Sequence, residues 1–228
     1  MKKKQILGLA AIPALGAAYL AGLRGRTGHP SWQVLRQYRY AHRGYHDKPL
    51  IPENSMPAFR RAIERGWGAE LDVHLMKDGT LAVIHDSSLK RTADADVMIE
   101  DLTREELENY RLEGTDERIP LFDEVLELFE GKAPLIIELK TANGNHMELS
   151  RAVCERLDRY SGDFCIESFD PFAVADVRRL RPAICRGQLA EDFLKDGGAG
   201  IGPAKSLFAT GLFGNAAARP DFIAFKFE

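Results

Sequence analysis

Leu135-Ile136-Ile137-Glu138-Leu139-Lys140 decides the fold. The run is apolar on successive positions, so both faces of the strand it forms are covered, as in a parallel sheet with helices on either side. Its charge comes only at the end, where Glu138 and Lys140 share one face. A carboxylate that ends such a strand needs either a counter-ion or a metal, because an unpaired buried charge is costly. By itself the pair Glu138 and Lys140 is satisfied equally well by a mutual ion pair.

Three other segments repeat the shape. Gly68-Ala69-Glu70-Leu71-Asp72-Val73-His74-Leu75 alternates, so Glu70, Asp72 and His74 lie on one face. Leu81-Ala82-Val83-Ile84-His85-Asp86 and Arg39-Tyr40-Ala41-His42-Arg43-Gly44 are apolar strands that terminate in ionisable residues. An isolated E-x-D is also the wet face of an ordinary half-buried strand, and a histidine at a strand end is often structural. Four strands that all deliver chemistry at their C-terminal ends match the place where parallel α/β folds, the (β/α)8 barrel above all, build active sites. Two histidines supply a proton acceptor and a donor, and the carboxylates form a site for a hard cation. Displacement at phosphorus needs that combination.

Between these strands the pattern is helical. Asn54 or Ser55 caps a helix with Met56, Phe59 and Ile63 on one face and Gly66 at its end. Thr103-Arg104-Glu105-Glu106 fits a capping box, and Leu121, Val125 and Leu128, then Val153, Leu157 and Tyr160, mark further amphipathic helices. The βαβα order predicts a parallel sheet. Ser87 to Ile119 is polar and too long for a simple crossover loop.

In order, spacing and identity, the set Ala41-His42-Arg43-Gly44, Pro52-Glu53-Asn54-Ser55, Glu70-Leu71-Asp72, His85-Asp86, Glu138-Leu139-Lys140 and Ser168-Phe169-Asp170 resembles the glycerophosphodiester phosphodiesterase family. The resemblance runs from about Tyr40 to Asp170. It implies a metal-dependent hydrolase that releases glycerol 3-phosphate and an alcohol from a small glycerophosphodiester. His42 and His85 then correspond to the acid/base pair, and Glu70, Asp72 and Glu138 to the ligands of a divalent cation. Arg43 and Lys140 correspond to phosphate contacts, and Glu53 to an acidic residue near metal and substrate. In the family, a neighbouring glycerol hydroxyl attacks first and water then opens the cyclic phosphate. Which histidine is the acid stays open at this point. An all-carboxylate donor set favours Mg2+ or Ca2+ over zinc. His74 reads as an orienting or structural residue, while Glu167 receives no role. The polar stretch 87–119 resembles the family's insertion beside the active site.

The chain of 228 residues divides into a signal-like or anchor segment at 1–24, a linker at 25–38 and a phosphodiesterase barrel at 39–228. Met1-Lys2-Lys3-Lys4 precedes an uncharged run from Gln5 to Leu23, which at about 1.5 Å per residue nearly crosses a ~30 Å hydrocarbon core. We expect an uncleaved N-terminal hydrophobic helix that attaches the protein to a membrane, with secretion after signal cleavage as the alternative. The barrel is expected to lack its last βα unit, since the chain stops within Phe222-Ile223-Ala224-Phe225-Lys226-Phe227-Glu228, which reads as a late strand. Two further readings accompany the first: a phospholipase-D-like or phosphatidylinositol-phospholipase-C-like enzyme acting on intact lipid, and a non-catalytic membrane-bound module.

A net charge of −3, with no basic run beyond the N-terminus, argues against nucleic acid as a partner. Cys154, Cys165 and Cys185 are scattered among apolar residues and read as free buried thiols. His29, His46 and His146 fall in polar stretches that read as loops. Gly197 to Ser206 looks superficially like a phosphate-binding loop, but Pro203 and Ala204 separate Lys205 from the last glycine, so it reads as a flexible connection.

Overall fold

The structure, a computed structural model, describes residues 16–17, 19–26, 28–195 and 202–226. Its frame is a single sheet in the order β1 (Tyr40–Ala41), β2 (Gly68–Leu75), β4 (Leu135–Leu139), β5 (Phe164–Ser168), β6 (Arg186–Ala190) and β7 (Phe222–Phe225), every neighbour parallel. β3 (Leu81–Val83) hangs off this path and pairs with β2 antiparallel.

Parallel pairing follows from the helical connections, and the residues that make the helices are those with the 3.6-residue apolar repeat. Ser55 caps the helix Met56–Glu64 by accepting a hydrogen bond from Ala58 N, and Ala58, Phe59 and Ala62 form its buried face. Thr103 and Glu106 form the capping box of the short helix Arg104–Leu107. Phe122–Phe129 buries Phe122, Val125, Leu126 and Phe129, and Glu130 ends it in the left-handed region. His146–Leu157 and Pro171–Leu180 complete the layer over β4, β5 and β6. The outward residues of the strands, Leu71, Val73, Leu135, Ile137 and Ile166, pack with Phe59, Phe122, Phe129, Val153 and Val177 into the principal core.

The inward face curls. Cys165, Cys185, Ile136 and Phe222, drawn from four different strands or strand approaches, meet Leu35 and Trp32 in one cluster, so the helix Trp32–Leu35 plugs the N-terminal end of the sheet. A Cβ on Gly187 would lie 2.2 Å from the Phe222 ring, which shows how tightly β6 and β7 close there. Parallel strands inside, helices outside and a packed interior are the arrangement of a TIM-type barrel.

Several expectations change. Leu81 to Asp86 is not another parallel barrel strand: Leu75 pairs with Leu81 and Val73 with Val83, so it returns along β2 as a hairpin. The apolar run looked the same because a short strand buried on both faces carries no mark of its direction. Among the described residues the barrel sheet therefore has six parallel strands, and Phe222–Phe225 is the sixth.

The stretch 87–119, polar overall, has its own apolar centre in which Leu89, Ile99, Leu102, Leu107, Leu112 and Ile119 are buried with Met76 and Ile84. Residues 25–38 contain the plugging helix. Arg26 forms two bonds to Asp221 at 2.6 and 2.8 Å, and the buried His29 Nε2 meets Ala183 O at 2.9 Å. His146 begins a helix and pairs with Asp176. All three cysteines are free and buried.

Of the apolar run 5–23, residues 5–15 and 18 lie outside the described residues. Residues 19–23 are helical, with Tyr19 Oη donating to Gly211 O. Among the described residues no helix is long and apolar enough to cross a membrane. Most of the glycine-rich run, 196–201, also lies outside them, while Lys205 and Ser206 sit in the helix Pro203–Thr210.

Candidate active site

Register across the sheet brings the carboxylates together. Asp72 on β2 lies opposite Glu138 on β4, and Glu138 opposite Glu167 on β5. Glu70 stands two residues before Asp72 on the same face. Ligand oxygens of Glu70, Asp72 and Glu138 all fall within 4.8 Å of one another, and all three residues are buried.

Around them stand the other residues expected from the sequence. Arg43 has φ 55°, and its backbone N donates to Glu70 Oε2 at 2.9 Å. Its guanidinium donates to Glu53 Oε1 at 2.9 Å and lies 3.7 Å from Asp72 Oδ2. Lys140 Nζ sits 2.7 Å from Glu138 Oε1 and 3.1 Å from Asp72 Oδ1. His42 is exposed, with Nε2 3.9 Å from Glu70 Oε2. His85 reaches the same end of the sheet from the hairpin, where the neighbouring Ile84 N donates to Asp72 O at 3.1 Å.

The electrostatics separate the carboxylates. Burial and the Asp72 charge push Glu70 well above the usual carboxylate range. Burial likewise raises Glu138 to about 7, against the pull of Lys140 and with the help of Asp72. Burial works on Asp72 in the same direction but loses to Lys140, His85, Asn54 and Arg43, so Asp72 ends below its ordinary value. Glu53 also stays below the ordinary range, since the bonds from Arg91 and Lys48 and the Arg43 charge outweigh burial. Glu167, raised to about 8 by burial and then by Glu138 and Asp72, is mostly protonated at neutral pH. Lys140 is held above its usual value because Asp72 and Glu138 outweigh burial.

A divalent cation fits this donor set. Glu70 Oε1 is buried and has no hydrogen-bond partner among the described residues, and three acidic neighbours, Asp72, Glu138 and Glu167, raise the cost of ionising it. Three hard carboxylate oxygens in reach of one another suit an oxygen-seeking ion. Lys140 and Arg43 add positive charge at the edge of the same triad.

The two histidines differ in how they are held. His85 Nδ1 is 2.6 Å from Asp86 Oδ1, and Asp86 Oδ2 accepts from Arg91 Nε at 2.5 Å. Burial would raise Asp86, yet the bonds from Arg91 and His85 keep it below its ordinary value, so it is a carboxylate acceptor. His85 therefore donates through Nδ1 and presents Nε2 as the free lone pair. His42 has no comparable orienting bond among the described residues. Burial lowers both histidines below 6.5, assisted by Arg43 at His42 and by Lys140 at His85.

Three positioning residues were not assigned from sequence. Asn54, read there only as a cap, leaves that task to Ser55 and donates to Asp72 Oδ2 at 2.7 Å. Arg91 in the insertion bridges Glu53 at 2.6 Å and Asp86. Lys48 bridges Glu53 at 2.7 Å and Glu113 at 2.6 Å. The E-N-S tripeptide marks Asn54 once two capping candidates compete, but nothing in a polar insertion singles out Arg91. His74 fits the orienting reading: its ring lies 2.7 Å from Glu100 Oε1 and 3.2 Å from His85 O, and Ser87 joins the same carboxylate at 2.9 Å.

Known proteins share both pattern and shape. A phosphodiesterase from Oleispira antarctica, whose structure holds the product sn-glycerol-3-phosphate, superposes with a TM-score of 0.66 at 23% identity, over 88% of this chain and 95% of that one. At that identity the likeness speaks for the fold. A glycerophosphodiester phosphodiesterase of Bacillus altitudinis is 36% identical over 166 residues, 68% of this chain and 67% of the relative. The enzyme of that name from Caldanaerobacter subterraneus is 35% identical over 159 residues, and the match covers 65% of each, just under two thirds of the relative's length. The model of the glycerophosphoryl diester phosphodiesterase family matches residues 42–207, a span that contains every carboxylate, histidine and cation of the cluster. With that match over most of its length, the chain belongs to the glycerophosphoryl diester phosphodiesterase family.

Proposed function

We propose that the chain hydrolyses small glycerophosphodiesters to glycerol 3-phosphate and an alcohol, with one divalent cation, Mg2+ or Ca2+, held by Glu70, Asp72 and Glu138. The observation that carries this reading is the buried carboxylate triad flanked by His42 on one side and the Asp86-oriented His85 on the other. When bound, the cation supplies charge neutralisation at the phosphoryl oxygens.

The side chains divide the rest of the work. Arg43 and Lys140 bind the phosphate, drawing on guanidinium and ammonium donors at the rim of the triad. His85 Nε2 accepts the proton of the glycerol hydroxyl as its oxygen forms the new bond to phosphorus. His42 donates a proton to the alkoxide as the P–O bond to the alcohol breaks. The charge of an arriving phosphodiester offsets the burial and Arg43 effects that depress His42, so that it carries the proton it must give. Water then opens the cyclic phosphate with the two roles reversed. Each histidine contributes about 10² to 10⁴ in rate. Arg91 and Lys48 keep Glu53 charged beside Arg43.

Attachment to a membrane through residues 5–23 belongs to the same proposal, supported by the uncharged run behind Lys2, Lys3 and Lys4. The test is release of choline, with glycerol 3-phosphate as co-product, from glycerophosphocholine, and of choline or phosphocholine from phosphatidylcholine, with Mg2+ or Ca2+, with chelator, and with His85→Ala. Chelator-sensitive release from the soluble diester, lost in the variant, is expected. Release from the lipid alone would replace this reading with the lipid-directed one, and a folded, cation-binding chain that turns over neither would make it a non-catalytic module.

A further inference from the structure

At the opposite end of the sheet from the carboxylates, six arginines converge on one hollow. Arg24, Arg26, Arg178, Arg179, Arg186 and Arg219 line a cavity of about 840 Å³, and no carboxylate among the described residues lines it with them. Arg186 opens β6 and Arg219 stands just before β7, so the cavity lies at the N-terminal strand ends.

Charge there is not balanced. Asp221 neutralises Arg26, and Asp176 neutralises Arg179 at 3.0 Å. The remaining four have no ion pair among the described residues. Arg178 is held by Ala217 O at 2.6 Å, and the buried Arg186 by the carbonyls of Ala218, Pro182, Ile184 and Arg219. Such carbonyls orient a guanidinium without cancelling its charge. Arg24 and Arg219 are exposed and make no side-chain hydrogen bond among the described residues. Burial pushes the Arg186 guanidinium below its ordinary range, and Arg26 and Arg178 add to this against the pull of Asp221.

The cavity is also built rather than incidental. A Cβ on Gly25 would lie 2.0 Å from Pro220 O, and Arg26 N donates to that oxygen at 3.1 Å. Backbone thus sits directly on backbone where residues 24–26 meet Pro220, which fixes the main chain that carries Arg24 and Arg26 at the hollow. Like charges gathered in a concavity focus a positive potential, and the guanidinium fork matches phosphate oxygens two at a time.

We propose that this cavity is a second anion site, separate from the catalytic cluster, for a phosphate-bearing ligand: a soluble phosphate or the phosphate of an anionic lipid head group. The assignment stands independently of the catalytic reading, because its readout is binding.

The full chain and the variant Arg24→Gln/Arg219→Gln are compared in chelator, so that no divalent cation recruits phosphate to the triad. Inorganic phosphate is titrated calorimetrically at low salt, and cosedimentation is measured with phosphatidylglycerol and with phosphatidylcholine vesicles. The two substitutions are expected to weaken binding about 10-fold or more, the equivalent of one lost charge-assisted contact, with the unfolding midpoint and any diesterase activity unchanged. A loss seen with inorganic phosphate identifies a soluble ligand, and a loss confined to phosphatidylglycerol identifies a lipid head group. Equal binding of both probes by the chain and the variant, or no binding of either by the unaltered chain, overturns the proposal.

Discussion

Replacing Glu138 by glutamine in the cation-free protein should stabilise it, although the change removes an ion-pair partner of Lys140. Glu138 is only 7% exposed, and its carboxyl is pushed from an ordinary 4.5 to about 7 even with the lysine 2.7 Å away. The folded chain therefore holds this proton longer than the unfolded one. As pH rises through the window from 4.5 to 7, stability falls, and it is fully present only below that window. At about 1.4 kcal/mol for each pH unit of displacement, ionised Glu138 costs ~3 kcal/mol at pH 8. Glutamine resembles the protonated acid and avoids that cost. For a chain of this size the gain corresponds to about 6–12 °C in Tm. The assay is thermal unfolding of both proteins at pH 4 and pH 8, in chelator and in millimolar Ca2+ or Mg2+. In chelator the variant should be the more stable at pH 8 and about equal at pH 4. With cation, the order at pH 8 should reverse, because only the parent gains. A variant less stable than its parent in chelator at pH 8 would refute the reasoning, since the triad would then be a structural salt-bridge network rather than a site held against its own repulsion.

Two substitutions test how the cluster is supported. Asn54→Ala removes a buried donor from Asp72 and puts alanine at φ 51°, so a loss of about 3 kcal/mol in urea unfolding and weaker cation binding are expected; unchanged cation affinity would mean that Asn54 does not orient Asp72. Gly44→Ala places a Cβ 2.9 Å from Ala58 Cβ at φ +75°, and should cost about 2 kcal/mol by denaturation; a change within about 0.5 kcal/mol would show that the turn after Arg43 relaxes freely.

Much of the site is readable along the chain because β-strand geometry is local. Glu70 and Asp72 share a face by the two-residue repeat, and the apolar run before Glu138 announces a strand covered on both sides. The caps at Ser55 and Thr103 follow from side chains that satisfy amides three residues on. The motif resemblance then joined His42, Arg43, Glu53, His85 and Lys140 into one reading, and all of them stand at the same end of the sheet.

What the chain could not announce by itself depends on contacts between distant residues. β3 runs antiparallel because its partner is β2, and a short apolar run pairs in either direction. Arg91 reaches Glu53 across 38 positions, and Arg26 reaches Asp221 across 195. The insertion's core is assembled from single leucines and isoleucines spaced through polar sequence, so no periodicity reveals it. Local patterns determine which backbone groups and faces must be buried. Only tertiary packing decides which charges meet, because the desolvation that raises Glu70 and Glu138, and the cations that hold Asp72 and Glu53 down, are brought together by the curled sheet.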